Sequence, residues 1–178
     1  MNETITRKIG IGGILGAVIR EEFDVVLDAL LRAAKNVYGD RLVSLAVFGS
    51  VGRGTPRPDS DIDVLVIAEE MPGGRIKRIQ EFSRVEEFLK HHLPELKHIC
   101  VDLSPVLKDK SEVMAGSLLF LDMLEDARIL YDKDGFLTGF FRQQKKRLEE
   151  LGATKHYRKG AWYWVLKKDF KPGEEIEI

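Results

Sequence analysis

The sequence contains very little cysteine, no long apolar run and almost no excess of charge. Its 178 residues include one cysteine, Cys100, which excludes an internal disulfide and a zinc-binding cysteine cluster. The 28 basic and 29 acidic residues leave a net charge near -1, so the chain is not a polycation built for non-specific binding to nucleic acid. From its apolar flanks, Ile99 and Val101, we expect Cys100 to be a buried strand thiol.

One apolar-leaning stretch lies near the N-terminus, over residues 9–19, but it is glycine-rich and too short to span a bilayer. Arg20, Glu21 and Glu22 follow it at once, and no cleavage site of small residues is convincing. We therefore expect a cytoplasmic protein that does not bind a membrane.

The length allows one sizeable core, since 44% of the residues are hydrophobic and 32% are charged. We expect an N-terminal extension over residues 1–19, a core over 20–110, and a C-terminal part over 111–178 that packs on the core. The element pattern predicts an α/β (α+β) fold, in which a mixed β-sheet with helices on one face is followed by C-terminal helices and a β-hairpin.

Hydrophobic periodicity places the elements of the core. Apolar residues recur at helical spacing over residues 21–38, which predicts a long amphipathic helix. Runs rich in branched apolar residues at 42–48 and 62–67 predict two strands. A Pro-Gly-Gly break then precedes a second predicted helix, which runs from Ile76 to about His92.

A third strand is predicted over residues 98–103, because Pro105 cannot donate a hydrogen bond to a sheet ladder and should end it. Asp102 would then lie near the end of this strand. The remaining predictions are helices at 112–126 and 138–151, a short strand at 128–131, and hairpin strands at 161–167 and 174–178.

The stretch from Phe48 to Val66 contains the residues that point to chemistry. A strand that ends in Gly49 and Ser50 and turns into a short helix leaves free backbone N–H groups at a positive dipole end, where a triphosphate can dock. Residues two apart in a strand share a face, so Asp61 and Asp63 can aim both carboxylates at one point. That arrangement is typical of a metal site.

Magnesium fits this carboxylate pair, because it takes oxygen ligands and usually combines one or two carboxylates with waters and substrate phosphates. Two such ions could clamp the attacking and leaving oxygens of a phosphoryl or nucleotidyl transfer. Asp102 would add a third carboxylate, or act as a base toward an attacking hydroxyl. Arg53 and Arg57 are predicted to contact phosphates through bidentate hydrogen bonds.

These residues resemble the Gly-Ser, spacer, Asp-x-Asp signature of the DNA polymerase beta nucleotidyltransferase superfamily, and most of all its small prokaryotic members, the minimal nucleotidyltransferases. The resemblance covers residues 42–103. It implies that Gly49 and Ser50 contact the nucleotide phosphates, that Asp61 and Asp63 ligate magnesium, and that Asp102 is the third carboxylate of the site.

The resemblance also implies a reaction: a nucleoside triphosphate, such as ATP, binds with two Mg²⁺ ions, and the nucleoside monophosphate moves to a hydroxyl as pyrophosphate leaves. Acceptors in the family include a protein side chain, as when a minimal nucleotidyltransferase acts as antitoxin on an HEPN toxin, an RNA 3′ end, and a small molecule such as an aminoglycoside. We favour a protein acceptor, because the chain is small, has no overall basic charge and carries no recognisable RNA-binding module.

Two other interpretations stay open. The chain could be a nucleotide-binding or partner-binding module that keeps the fold without turnover, although its complete carboxylates argue against this. It could also use the helix from Thr138 and the aromatic run Trp162 to Trp164 to form a homodimer or hold a partner. The simpler interpretations are that this run packs one face against a helix and that Asp59 and Ser60 shape a turn.

Overall fold

A computed structural model describes residues 11–158 and 161–169. The helices are α1 (Ile11–Tyr38), α2 (Gly49–Gly52), α3 (Arg75–His92), α4 (Lys110–Met114), α5 (Met123–Asp126) and α6 (Phe136–Leu151). The strands are β1 (Leu42–Phe48), β2 (Ile62–Ala68), β3 (Leu103–Asp109), β4 (Arg128–Asp132), β5 (Thr154–Arg158) and β6 (Ala161–Val165). The first four strands form a mixed sheet in the order β3-β2-β1-β4, and β5 pairs with β6. The predicted mixed α/β class is confirmed.

The first helix is longer than predicted, because it begins at Ile11 and not at residue 21. Phe23 and Leu30 lie at helical spacing and are almost fully buried. Ile19 is also buried, and its packing outweighs the low helix propensity of the glycines before it. Neither α1 nor any other helix in the described part of the chain is apolar over a length that could cross a membrane.

The two central strands confirm two predictions. β1 occupies the predicted range 42–48, and β2 runs one residue beyond the predicted 62–67. They pair antiparallel, with Phe48 opposite Asp63. Every residue of β2 except Asp63 is buried, which explains its near-continuous apolar run, since such strands are covered on both faces.

The predicted third strand is wrong. Residues 98–102 are irregular, and β3 begins at Leu103 with Pro105 inside it. β3 pairs in parallel with β2 at the edge of the sheet, where proline is tolerated because an edge strand has N–H groups without a ladder partner. Cys100 is exposed and lies outside the strand, so the expected buried strand thiol is wrong as well.

Helices cover both faces of the sheet, so the picture of helices on one face is incomplete. We call the first cover the α1–α3 layer; its core includes Phe23, Leu30, Val47, Val64, Val66, Phe82 and Val85. We call the second cover, formed by residues 110–126, 136–158 and 161–166, the C-terminal layer; its core includes Val43, Ala46, Leu65, Ile67, Phe120, Leu137 and Phe140. Alternate residues of the same strands thus face two separate cores.

The C-terminal layer combines short elements with the longer helix α6. The predicted helix at 112–126 is divided into α4, a 3₁₀ turn (Leu118–Asp122) and α5, with Gly116 at a φ of +77° between the first two. The predicted helix at 138–151 is confirmed as α6, which begins two residues earlier, at Phe136. The predicted strand at 128–131 is confirmed as β4, which pairs with β1 and so joins the central sheet.

The predicted C-terminal hairpin exists with a different partner strand. β6 falls within the predicted range 161–167, but it pairs with β5. The other predicted strand, at 174–178, lies outside the described residues. Trp164 packs against the C-terminal layer, which confirms the packing interpretation for this residue.

Candidate active site

The turn between β1 and α2 brings the backbone against a carboxylate of β2. Gly49 follows β1 with a φ of +65°, in the left-handed region that favours glycine. A Cβ at Gly49 would overlap Oδ2 of Asp63. Because Phe48 is opposite Asp63 in the antiparallel register, the next residue of the turn lies beside that carboxylate. The missing side chain of Gly49 is therefore what gives the Asp63 carboxylate its place.

Asp61 and Asp63 flank a buried residue at the start of β2. Ile62 is fully buried, whereas Asp63 is half-buried and Asp61 is exposed. Burial raises the pKa of the Asp63 carboxyl, the charge of Asp61 raises it further, and the charge of Arg53 opposes both. A half-buried carboxylate beside a second one makes a negative site that a cation would stabilise.

Asp102 lies at the same edge of the sheet, immediately before β3 and not near the end of a strand. Its carbonyl oxygen accepts a hydrogen bond from the Ile62 N–H at 2.8 Å, and Leu103 is the register partner of Ile62. Because β2 and β3 are parallel, their first residues lie at the same end of the sheet, and Asp102 is brought beside Asp61. Its side chain is exposed.

The three carboxylates lie at the same end of the sheet but do not form a closed cluster. Within residues 11–158 and 161–169, no three His, Cys, Asp or Glu side chains are close enough to hold a metal ion together. The chemistry of the pair still fits magnesium, because two carboxylates are the usual protein share when waters and substrate phosphates complete the ligand shell. The raised pKa of Asp63 and the close approach of its carboxylate to the Gly49 backbone support the same fit.

The phosphate-docking prediction concerns the backbone at the start of α2. The Arg53 N–H donates to the Gly49 carbonyl at 3.1 Å, and the Thr55 N–H donates to the Ser50 carbonyl at 2.9 Å. Phe48, at the N-cap, offers no side-chain hydrogen bond to the first N–H groups of α2. Those N–H groups therefore keep their capacity to donate to an anion.

The spacer between the turn and β2 is shaped by local hydrogen bonds. The Arg57 N–H donates to Ser60 Oγ at 3.0 Å, and the Ser60 N–H donates to the Arg57 carbonyl at 3.0 Å. The Cys100 N–H donates to the Pro58 carbonyl at 3.1 Å, which ties the loop before β3 to the spacer. Ser60 thus has the turn-shaping role that the simpler interpretation predicted.

One residue beside the turn was not found by sequence reasoning. Nη1 of Arg53 donates to Oδ2 of Asp126 at 2.8 Å. Asp126 ends α5 and comes 73 positions after Arg53. No local pattern could have connected the two residues, because their contact depends on how the C-terminal layer packs on the sheet.

Comparison with known proteins gives a family match over the sheet and the site. A family model described as "Nucleotidyltransferase domain" matches residues 27–131. A Methanocaldococcus jannaschii protein described as "Putative protein adenylyltransferase MJ1305" is 30% identical over 129 residues, which cover 71% of this chain and 83% of that protein. Protein adenylyltransferase MntA of Thermococcus cleftensis is 36% identical over 70 residues, 39% of this chain and 64% of that protein.

Two chains in solved structures are similar to parts of this chain. A chain in a crystal structure of a toxin–antitoxin with AMP-PNP has a TM-score of 0.45 and 18% identity, and the match covers 71% of this chain and 92% of that one. A chain in the structure of tri-AMPylated Shewanella oneidensis HEPN toxin in complex with MNT antitoxin has a TM-score of 0.45 and 16% identity, with coverage of 72% and 87%.

Proposed function

The chain belongs to the nucleotidyltransferase-domain family, and from this premise we propose that it is a magnesium-dependent protein adenylyltransferase, which transfers AMP from ATP to a hydroxyl group of another protein. The observation that carries the proposal is the contact between the Gly49 backbone and the Asp63 carboxylate, since it joins a phosphate-binding turn to a cation site. The protein acceptor is supported by the names of the two sequence relatives, "Putative protein adenylyltransferase MJ1305" and "Protein adenylyltransferase MntA". We place the reaction in the cytoplasm, where ATP is available.

Each residue of the site has a proposed role. The backbone N–H groups at Gly49 and Ser50 bind phosphate oxygens, and the Arg53 guanidinium adds a charged contact. Asp61 and Asp63 hold Mg²⁺, with Asp102 as a proposed third ligand. When bound, the metal neutralises phosphate charge and favours attack at the α-phosphorus.

The bond changes of the proposed reaction balance without a redox partner. The acceptor hydroxyl oxygen forms a bond to the α-phosphorus, and the bond from that phosphorus to the bridging oxygen breaks. Pyrophosphate leaves with the electron pair of that bond. The hydroxyl proton goes to a base, and the exposed carboxylate of Asp102, at the same end of strands β2 and β3, is the candidate if it does not ligate the metal.

The proposal is tested by following the label of ATP. Purified protein is incubated with Mg²⁺, a total lysate of its native host, and ATP labelled at either the α- or the γ-phosphorus. We expect a labelled band from α-labelled ATP alone, sensitive to protease and resistant to ribonuclease. A ribonuclease-sensitive band would move the acceptor to RNA, and label from γ-labelled ATP would indicate a kinase.

Two variants show whether the site carries the reaction. Asp63→Asn should abolish the labelled band, because it removes a charge from the proposed metal site. Asp59→Asn is the matched control, since it removes a carboxylate from the exposed spacer. Label that persists in Asp63→Asn would contradict the assignment. Magnesium-dependent nucleotide binding without any label transfer would favour a nucleotide-binding module without turnover.

A further inference from the structure

We call residues 49–53 the phosphate-binding turn, and Asp126 contacts this turn through two different groups. Its carboxylate accepts the 2.8 Å hydrogen bond from Arg53 Nη1. Its carbonyl oxygen lies against Gly52, the residue before Arg53, and a Cβ added to Gly52 would be 2.5 Å from this oxygen. The same Cβ would be 2.8 Å from the carbonyl oxygen of Val47, so Gly52 is held between two backbone segments. One residue of α5 thus fixes two consecutive residues of the turn.

The position of Asp126 is itself fixed by the C-terminal layer. Met123 and Leu124, in the same short helix, are at most 5% exposed and belong to the second core. Glu125 accepts a 2.6 Å hydrogen bond from Lys155 of β5. The carboxylate of Asp126 is therefore presented to Arg53 from a buried and tied segment, and not from a loose surface loop.

Arg53 is bound to Asp126 and is close enough to Asp63 for its charge to act on that carboxyl. The Arg53 side chain is 47% exposed, so without a partner it would sample many rotamers. Holding it in one place lowers the entropy lost when it binds a phosphate.

We propose that Asp126 is a positioning residue for the nucleotide: its carboxylate orients the Arg53 guanidinium, so that the chain binds a nucleoside triphosphate with this arginine already in place. The inference rests on the proposed function, because it requires the triphosphate to bind at this turn. Asp126 acts through Arg53 and needs no contact of its own with the nucleotide.

Two effects of removing Asp126 have opposite signs, which makes the inference testable. Loss of a negative charge near a triphosphate would by itself strengthen binding. Loss of the partner of Arg53 would weaken binding, because the guanidinium must then be ordered during the binding step. Positioning predicts that the second effect is the larger one.

The experiment is calorimetric titration of the full chain with AMP-PNP in the presence of Mg²⁺. We expect Asp126→Ala to raise the Kd about tenfold, which corresponds to about 1.4 kcal/mol. Asp126→Asn, which keeps an oxygen acceptor for Arg53, should lie between Asp126→Ala and the wild type. An unchanged or lower Kd in Asp126→Ala would overturn the inference.

The matched control is Asp122→Ala. Asp122 is an exposed residue. Partial burial raises the pKa of its carboxyl, the charge of Lys155 lowers it and the charge of Asp126 raises it, so Asp122 is near Asp126. Its side chain has no hydrogen bond to Arg53 among the described contacts. It should leave the Kd unchanged or lower it, because it removes charge without releasing the arginine. An increase equal to that of Asp126→Ala would overturn the inference.

A double-mutant cycle separates positioning from a structural role. Arg53→Ala with Asp126→Ala should bind AMP-PNP no more weakly than Arg53→Ala alone, since Asp126 acts through the arginine. Additive losses in the double variant would contradict this. The inference would also fail if Asp126→Ala is partly unfolded and the folded Asp126→Asn has the Kd of the wild type. If the wild type itself does not bind AMP-PNP with Mg²⁺, the proposed function fails. If the wild type binds and Asp126→Ala binds with the same Kd, only the role of Asp126 fails.

Discussion

The two layers that cover the sheet differ in how they are built and in how they reach the site. The α1–α3 layer consists of two helices of 28 and 18 residues. The C-terminal layer combines one helix of 16 residues with short pieces of 4 and 5 residues. Val51 of the turn is buried in the core of the first layer, whereas Arg53 is bound by Asp126 of the second.

The comparison separates two kinds of anchor. The apolar contact at Val51 holds the turn on the sheet but does not orient a polar group, because hydrophobic burial is not directional. The charge-assisted hydrogen bond to Asp126 fixes the direction of a guanidinium. We therefore expect changes in the first layer to affect stability, and changes near the second to affect both stability and nucleotide binding.

The largest expected effect is in the α1–α3 layer. Phe82 of α3 is 1% exposed, and Phe82→Ala should lower the free energy of unfolding by about 3–5 kcal/mol, because it opens a cavity. Urea unfolding measures the loss, and nucleotide binding should persist wherever the variant is folded. The matched control is Ile76→Ala, on the same helix at 76% exposure, with an expected change within about 0.5 kcal/mol. A folded Phe82→Ala that no longer bound nucleotide would break the comparison.

The next effect is at the turn between the layers. Gly49→Ala should lower kcat more than about 100-fold, because the new methyl group displaces the Asp63 carboxylate and small misplacements of reacting groups have effects of that size. Gly54→Ala is the matched control. Gly54 also has a positive φ, of +72°, but its Cβ would meet nothing within 4 Å. Equal losses in the two variants would assign the effect to backbone strain and contradict the role of the close approach.

A third prediction concerns a polar contact between the central sheet and α6 of the C-terminal layer. Asp132 accepts hydrogen bonds from the buried Ser44 hydroxyl and from the Leu137 N–H, both at 2.8 Å, and from the Thr138 N–H and hydroxyl at 3.0 and 2.7 Å. Asp132→Ala should lower the free energy of unfolding by about 2 kcal/mol, because these donors, two of them on the fully buried residues Ser44 and Leu137, lose their acceptor. Ser44→Ala removes one of the four donors and should lose less. A larger loss in Ser44→Ala would contradict this account.

The same carboxylate predicts a pH dependence of stability. Burial raises the pKa of Asp132, but the hydrogen bonds from Thr138, Leu137 and Ser44 outweigh burial and hold the pKa below its usual value. Because the folded-state pKa is depressed, the carboxylate stabilises the fold above the ordinary pKa of about 3.9, and this stability is lost as the pH falls through the folded-state pKa. Urea unfolding of wild type and Asp132→Asn should differ fully at pH 7 and converge in acid. A difference that does not change with pH would contradict the assignment.

The smallest expected effect is at Cys100. Because this thiol is exposed, Cys100→Ser should change the free energy of unfolding by less than about 0.5 kcal/mol. The native wild type should react with a thiol reagent at a rate comparable with that of the denatured chain. Protection of the native thiol would restore the buried strand position that the sequence suggested.

Local patterns predicted the parts of the molecule that local forces determine. The ranges of β1 and β2 followed from branched apolar runs. The prediction that Asp61 and Asp63 share one face followed from the two-residue period of a strand. β3 was misplaced because Pro105 was taken to end a strand, whereas its edge position makes the proline harmless. Whether a strand is at an edge depends on the whole sheet and has no local signal.

The contacts that were missed come from packing between distant segments. The Arg53–Asp126 pair joins residues 73 positions apart. The division of the predicted helix at 112–126 follows from the positive φ at Gly116, which the hydrophobic spacing did not register. Such features cannot be predicted from local sequence patterns, because they depend on how the whole core packs.

The most direct test of the proposed reaction is its stoichiometry. With a purified acceptor, the wild type and Mg²⁺, the pyrophosphate released from ATP is measured beside the AMP that becomes bound to the acceptor protein. The account predicts one pyrophosphate for each AMP attached, and neither product from Asp63→Asn. Release of inorganic phosphate with label transferred from the γ-position, or AMP attachment that continues in Asp63→Asn, would contradict it.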